Sequence, residues 1–140
     1  MTASKERYSN AFTATLTGIT DLFKKQKDPV VIGPEDSVIG KTILITGASS
    51  GLGFEAAVQL ARRGGHILMA CRSGIPEKGE QVRKQSGSQQ VEMYPVDLAD
   101  LDSVVKLVDA LQKKGVKIDI LIDNAAVVPG GSRKTPQGLE

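Results

Sequence analysis

Cysteine is nearly missing from this 140-residue chain, which has one thiol, Cys71. A single cysteine cannot supply an internal disulfide framework or a cysteine-based zinc site. Histidine is equally scarce, and the lone His66 has neither a second histidine nor a cysteine near enough in sequence to suggest a metal site. Three phenylalanines and two tyrosines are too few for a base-stacking surface. Neither sign of charge dominates: 18 Lys+Arg face 16 Asp+Glu, a net +2 too balanced for an electrostatic nucleic-acid binder. Long apolar runs are missing as well. Residues 8–20 carry no charge, but they are rich in threonine and interrupted by Asn10 and Gly18. They offer neither the apolar segment of a secretory signal nor the roughly 18 residues of a membrane span. With 40% hydrophobic and 24% charged residues, the composition is that of an ordinary globular protein, and the length suits one domain.

The chain changes character twice. Up to about residue 27 it is polar, with Tyr8, Phe12, Leu16, Ile19, Leu22 and Phe23 at helical steps along one face. Gly18 and the threonines lower the intrinsic propensity of that helix. Lys24, Lys25 and Lys27 would form its solvated end, and opposite Phe12, Leu16 and Phe23 they also suit weak attachment to a membrane surface. The serine- and threonine-rich start resembles an organellar leader in composition, but Glu6 and the scarcity of arginine argue against one. Residues 28–40, with Pro29, Gly33 and Pro34, read as a connector. From Lys41 a regular alternation begins.

Strands are predicted at 42–46, 66–70, 91–96 and 118–122, each a short and largely apolar run, the first rich in β-branched residues. Between them, helices are predicted at 51–63 and 76–85 and after Asp100. The first carries Phe54, Ala57, Val58 and Ala61 on one face and stops at Gly64-Gly65. The second is weak, with Pro76 suited to its first turn but Gly79 inside it. Asp100 is the expected N-cap of the third, whose apolar face is Leu101, Val104, Val105, Val108 and Leu111. This βαβαβαβ order implies parallel strands, helices on both faces and right-handed crossovers.

One turn carries chemistry. The first strand runs into Thr46-Gly47-Ala48-Ser49-Ser50-Gly51-Leu52-Gly53 and directly into a helix. Such a turn aims free backbone N–H groups over the sheet edge, where the helix dipole adds positive character and favours a diphosphate. Gly47 suits the tight turn, Gly51 close approach of the backbone and Gly53 close packing of helix on strand. Ser49 and Ser50 would add hydroxyl donors. A P-loop ending at Gly40-Lys41-Thr42 fails, because Glu35 stands where its first glycine is needed and a strand follows instead of a helix.

The spacing Thr46-Gly-x-x-x-Gly-x-Gly53 resembles the cofactor signature of the short-chain dehydrogenase/reductases. Further similarities follow in order at Cys71-Arg72, at Asp97-Leu98 and at Asp-Ile-Leu-Ile-Asp-Asn-Ala-Ala, residues 119–126. With Ala70-Cys71-Arg72 and the later Thr135-Pro-Gln-Gly-Leu-Glu140, the sequence looks most like the retinol dehydrogenase and protochlorophyllide reductase branch. The resemblance implies a Rossmann-type doubly wound α/β sheet of order 3-2-1-4 over residues 40–140, preceded by a helical or irregular extension at 1–39. It also implies that Gly47, Ser49, Ser50, Gly51, Leu52 and Gly53 line the cofactor phosphates and that Asp97 and Leu98 hold the adenine. Asn124, with Ala125, would lie near the nicotinamide ribose. Asp123 and Ala126 depart from the family's Asn-Asn-Ala-Gly at its first and last positions.

Cofactor preference follows from charge. An NAD site places a carboxylate about 20 residues past the glycine turn, to bond the ribose 2′-hydroxyl. Here the second strand ends in Cys71, Arg72 and Ser73. An arginine fork binds a 2′-phosphate that a carboxylate would repel, so NADP(H) is expected over NAD, although the glycine turn supplies no second basic residue.

The family's acid/base pair is a Tyr-x-x-x-Lys, in which the lysine lowers the tyrosine pKa. Four residues after Tyr8 stands Phe12, and four after Tyr94 stands Leu98, so no catalytic residue is assigned. A fourth strand as apolar as 118–122 reads as central in a parallel sheet, yet in the order 3-2-1-4 it would lie at an edge. The sequence therefore reads as the N-terminal part of a longer reductase, incomplete or truncated, and inactive alone. In its complete form it would move a hydride between nicotinamide and a carbonyl or alcohol, the substrate being lipophilic on the branch resemblance and the protein a candidate homo-oligomer. The expected compartment is the cytoplasm, with peripheral membrane or organellar placement as the alternatives. A non-catalytic nucleotide-binding or interaction module is the rival reading, and an inert misfolding fragment the third.

Overall fold

The structure is a computed structural model that describes Gly33, residues 37–127 and residues 134–138. The amphipathic spacing of residues 8–23 and the cluster Lys24, Lys25 and Lys27 lie outside the described residues. Four strands and three helices alternate: β1 (Thr42–Thr46), α1 (Gly51–Arg62), β2 (His66–Cys71), α2 (Glu77–Ser86), β3 (Val91–Pro95), α3 (Leu101–Lys113) and β4 (Ile120–Ile122). All neighbouring strands are parallel, in the order β3-β2-β1-β4, which makes a Rossmann-type α/β sheet.

The twofold period of a strand sorts its side chains between two cores. Ile43, Ile45, Ile67, Met69 and Val91 face α1 and α2, where Phe54, Ala57, Val58, Ala61 and Val82 meet them. Leu44, Leu68, Ala70, Tyr94 and Val96 point the other way and pack under Leu107 and Leu111 of α3. Asp100 is the N-cap of α3, its side chain accepting the N–H of Asp102. Gly79 weakens α2 as a helix but suits its docking: its N–H lies 3.0 Å from Met93 Sδ on β3, and a side-chain carbon there would collide with that thioether.

β4 is shorter than the apolar run 118–122. Asp119 closes the entry to the strand, donating its N–H to the Thr42 carbonyl at 2.9 Å and accepting the Thr42 N–H on its carboxylate at 2.9 Å. That side chain takes the position a strand carbonyl would use, so the ladder starts one residue later, at Ile43↔Ile120. β4 stands at the sheet edge, with Leu121 57% exposed on the α3 side.

The amino-terminal end of the sheet carries a polar cluster. Glu92 Oε1 lies 3.0 Å from His66 Nε2, while its Oε2 accepts from Tyr94 at 3.0 Å and from Lys114 at 2.8 Å. The Lys114 ammonium holds the Glu92 carboxyl below its ordinary value, against a smaller opposing effect of burial. A carboxyl depressed in this way stabilises the fold above its ordinary pKa and loses that contribution as the pH falls. Glu92→Gln is expected to lower the melting temperature at pH 7 by roughly 1–5 °C, the size of a half-exposed pair in a small domain. Thermal melts of both proteins should converge as the pH drops below 4.5. A gap unchanged in acid would contradict the assignment.

Candidate nucleotide-binding site

Every residue singled out for cofactor binding lies at the carboxyl edge of the sheet. The strand order sets out Asp97 and Leu98 after β3, Arg72 after β2, the glycine turn after β1 and Asn124 and Ala125 after β4. The chain winds from β1 towards β3 on one side and then returns to β4 on the other. The glycine turn thus occupies the switch point, where open parallel sheets form a crevice.

The turn is built by contacts between distant residues. Thr46, only 5% exposed, uses its Oγ1 to accept the N–H of both Asn124 and Ala125 at 3.1 Å. The Asn124 side-chain amide donates back to the Thr46 and Gly47 carbonyls, at 3.1 and 3.3 Å. Gly47 has φ 66°, and a side-chain carbon there would sit 2.8 Å from the Ala125 Cα. A carbon on Gly53 would strike the Asn124 amide and come within 2.7 Å of the Gly47 carbonyl oxygen. The close packing expected of Gly53 is therefore against the Asn124 side chain at the end of β4. Ala126 tolerates the loss of the family's glycine, since no non-glycine among the described residues has a positive φ.

The first turn of α1 is open and free of negative charge. It contains no acidic residue, and Ser50, the N-cap, makes no side-chain capping bond. Gly51 and Leu52 are exposed, and nothing lies within 4 Å of a carbon placed on Gly51. These features fit a diphosphate: N–H groups without intrahelical partners, a hydroxyl not used as a cap and no competing carboxylate. Below the turn, Cys71 is buried. Burial pushes its thiol up, opposed by hydrogen bonds from Ala48 and Ser49, so it stays a neutral support for the loop.

Arg72 is exposed and has no hydrogen-bond or ionic partner among the described residues. Packing also brings up a cation that sequence order hides. Ser49 and the aliphatic stem of Lys78 both lie within 4 Å of the same point beside Gly74, so the start of α2 abuts the glycine turn. The Lys78 ammonium sits 5.6 Å from the Phe54 ring centroid and donates to Gln81 at 3.0 Å. Thr46 and Lys78 are the two residues that sequence reasoning misses. A threonine ending a buried strand is the only hint of the first.

After β3, Asp97 donates its N–H to Ser103 Oγ at 2.9 Å and accepts that of Ala99 at 3.0 Å, which leaves Leu98 46% exposed on a fixed turn. A broad hollow of about 750 Å³ lies at the other, amino edge, lined by Gly40, Gly64 and residues 86–90. Its cation, Arg62, already donates to the Gln85 carbonyl at 2.9 Å, and that hollow is not the candidate site. Among the described residues no helix is long and apolar enough to cross a membrane.

The short chain dehydrogenase family model matches residues 41–137, and the chain belongs to that family. Retinol dehydrogenase 13 of Mus musculus is 33% identical over 130 residues, covering 90% of this chain and 38% of the mouse protein. Among solved structures, L-sorbose reductase from Gluconobacter frateurii with NADPH and L-sorbose matches with TM-score 0.59 at 29% identity, covering 74% of this chain and 39% of that one. NAD+-bound xylitol dehydrogenase matches with TM-score 0.56 at 29% identity, covering 64% and 34%. The chain spans less than two fifths of the length of the curated relatives it matches first. This is a dinucleotide-binding fold of an oxidoreductase family whose solved neighbours hold either nucleotide.

Proposed function

We propose that residues 40–140 form the NADP(H)-binding part of a short-chain oxidoreductase acting on a lipophilic alcohol or its carbonyl partner. The observation that carries the cofactor preference is Arg72: an exposed guanidinium, without a partner among the described residues, just past the end of β2, where an NAD site would offer a carboxylate. Its planar fork suits a 2′-phosphate, and Lys78, whose aliphatic stem lies beside Ser49, is a second cationic side chain next to the turn. The amides of residues 49–53 would hold the diphosphate and the Asp97–Leu98 turn the adenine. Asn124 and Ala125 would flank the nicotinamide ribose. When bound, the nicotinamide supplies or accepts the hydride. The residues of this site bind and orient it, and Asn124 keeps the glycine turn in shape. The substrate class is supported by similarity to a protein named retinol dehydrogenase.

Titration of the chain with NADPH and with NADH tests the reading. NADPH is expected to bind more tightly, and Arg72→Ala to weaken NADPH roughly 10- to 100-fold while leaving NADH nearly unchanged, as for loss of a charge-assisted hydrogen-bonding partner. Equal losses for both nucleotides would reject the role of Arg72.

A further inference from the structure

The start of α3 is bonded by a side chain from far along the chain. Helix starts leave N–H groups without intrahelical partners, and the Asp100 carboxylate meets those of Asp102 and Ser103. Another is met from outside: Gln137 Oε1 accepts the Leu101 N–H at 3.4 Å, and Gln137 Nε2 donates to Asp100 Oδ1 at 2.9 Å. One primary amide thus engages both a donor and an acceptor of the same helix start, which fixes its orientation as well as its position. A tight turn presents it, closed by the Gly138 N–H on the Thr135 carbonyl at 2.8 Å.

What Gln137 grips is continuous with the nucleotide site. The Asp100 N–H donates to the Asp97 carbonyl at 3.1 Å, and the bonds of Asp97 to Ala99 and Ser103 make residues 97–103 one hydrogen-bonded unit. The Gln137 bond is also the main influence holding the Asp100 carboxyl below its ordinary value. In the sheet order, the end of β4 and the start of α3 are three strand spacings apart, about 14 Å.

We propose that Gln137 is a positioning residue for the adenine half of the nucleotide: by clasping Asp100 and Leu101 it couples the segment at residues 134–138 to the turn Asp97–Asp100. This inference rests on the dinucleotide reading of the site. The clasp holds the turn that presents Leu98 and the Asp97 carboxylate, and a nucleotide seated on that turn in return favours the clasp, since such coupling is reciprocal.

The test uses the full chain and two halves of the cofactor, 2′,5′-ADP and nicotinamide mononucleotide, together with NADPH. Gln137→Ala should weaken 2′,5′-ADP and NADPH roughly threefold to tenfold, the net effect of one ordinary hydrogen bond, and leave nicotinamide mononucleotide unchanged. Gln137→Glu should lose at least as much, because it sets a carboxylate against Asp100. In the wild type, 2′,5′-ADP should slow amide exchange at Leu101 and at residues 137 and 138, and in Gln137→Ala that protection should disappear at 137 and 138. Unchanged 2′,5′-ADP affinity in the variant, or equal weakening of both halves, overturns the coupling while the site assignment stands. Failure of wild-type chain to bind NADPH or either half overturns the assignment itself, and the coupling with it.

Discussion

Gly47→Ala is expected to be the most damaging single change at the site, costing about 2–5 kcal/mol and abolishing nucleotide binding. Two effects add. The residue has φ 66°, a left-handed conformation that costs an L-residue about 1–2 kcal/mol. The new methyl would also lie 2.8 Å from the Ala125 Cα, and backbone cannot yield as the end of a flexible side chain can. Overpacking of that kind adds about 1–3 kcal/mol. Gly87 provides the control. It has φ 76°, and a methyl placed on it would meet nothing within 4 Å, so Gly87→Ala should show the strain alone. Urea unfolding of both variants separates the contributions, and equal losses would show that the approach of Ala125 to the turn is not limiting.

Thr46→Val is expected to destabilise the chain by about 1.5–3 kcal/mol with almost no change in side-chain volume. Its hydroxyl accepts two backbone N–H groups, and valine leaves that of Ala125 without this acceptor and that of Asn124 with only the Ile122 carbonyl, 3.1 Å away, in a partly buried place. The same loss detaches the end of β4 from the glycine turn, so NADPH affinity should fall along with stability. Thr46→Ser keeps the hydroxyl and should recover most of both. A valine variant with wild-type stability and affinity would show that solvent or a rearranged loop meets those amides just as well.

These expectations depend on information of two kinds. The strands β1, β2 and β3 and the start of α3 are legible in the sequence because short, largely apolar runs, glycines near β1 and β2 and an aspartate N-cap act within a few residues. The apolar run before β4 suggests too long a strand, since the bond from Asp119 to Thr42 spans 77 residues and leaves no local mark. Gly79 reads along the chain as a weakness in α2, and only its contact with Met93 shows why a residue without a side chain suits that place.

The glycine turn is recognisable from its spacing, but what braces it is not. The sequence alone settled the parallel α/β pattern, the glycine-rich turn between β1 and α1, and the absence of a carboxylate beside Arg72, all of which depend on neighbours along the chain. Tertiary structure alone decided that Thr46 and Asn124 lock the turn to β4, that Lys78 comes to lie beside Ser49, and that Gln137 closes on Asp100. Those contacts join residues 29 to 79 positions apart, and their geometry exists only once hydrophobic burial has stacked the helices on the sheet.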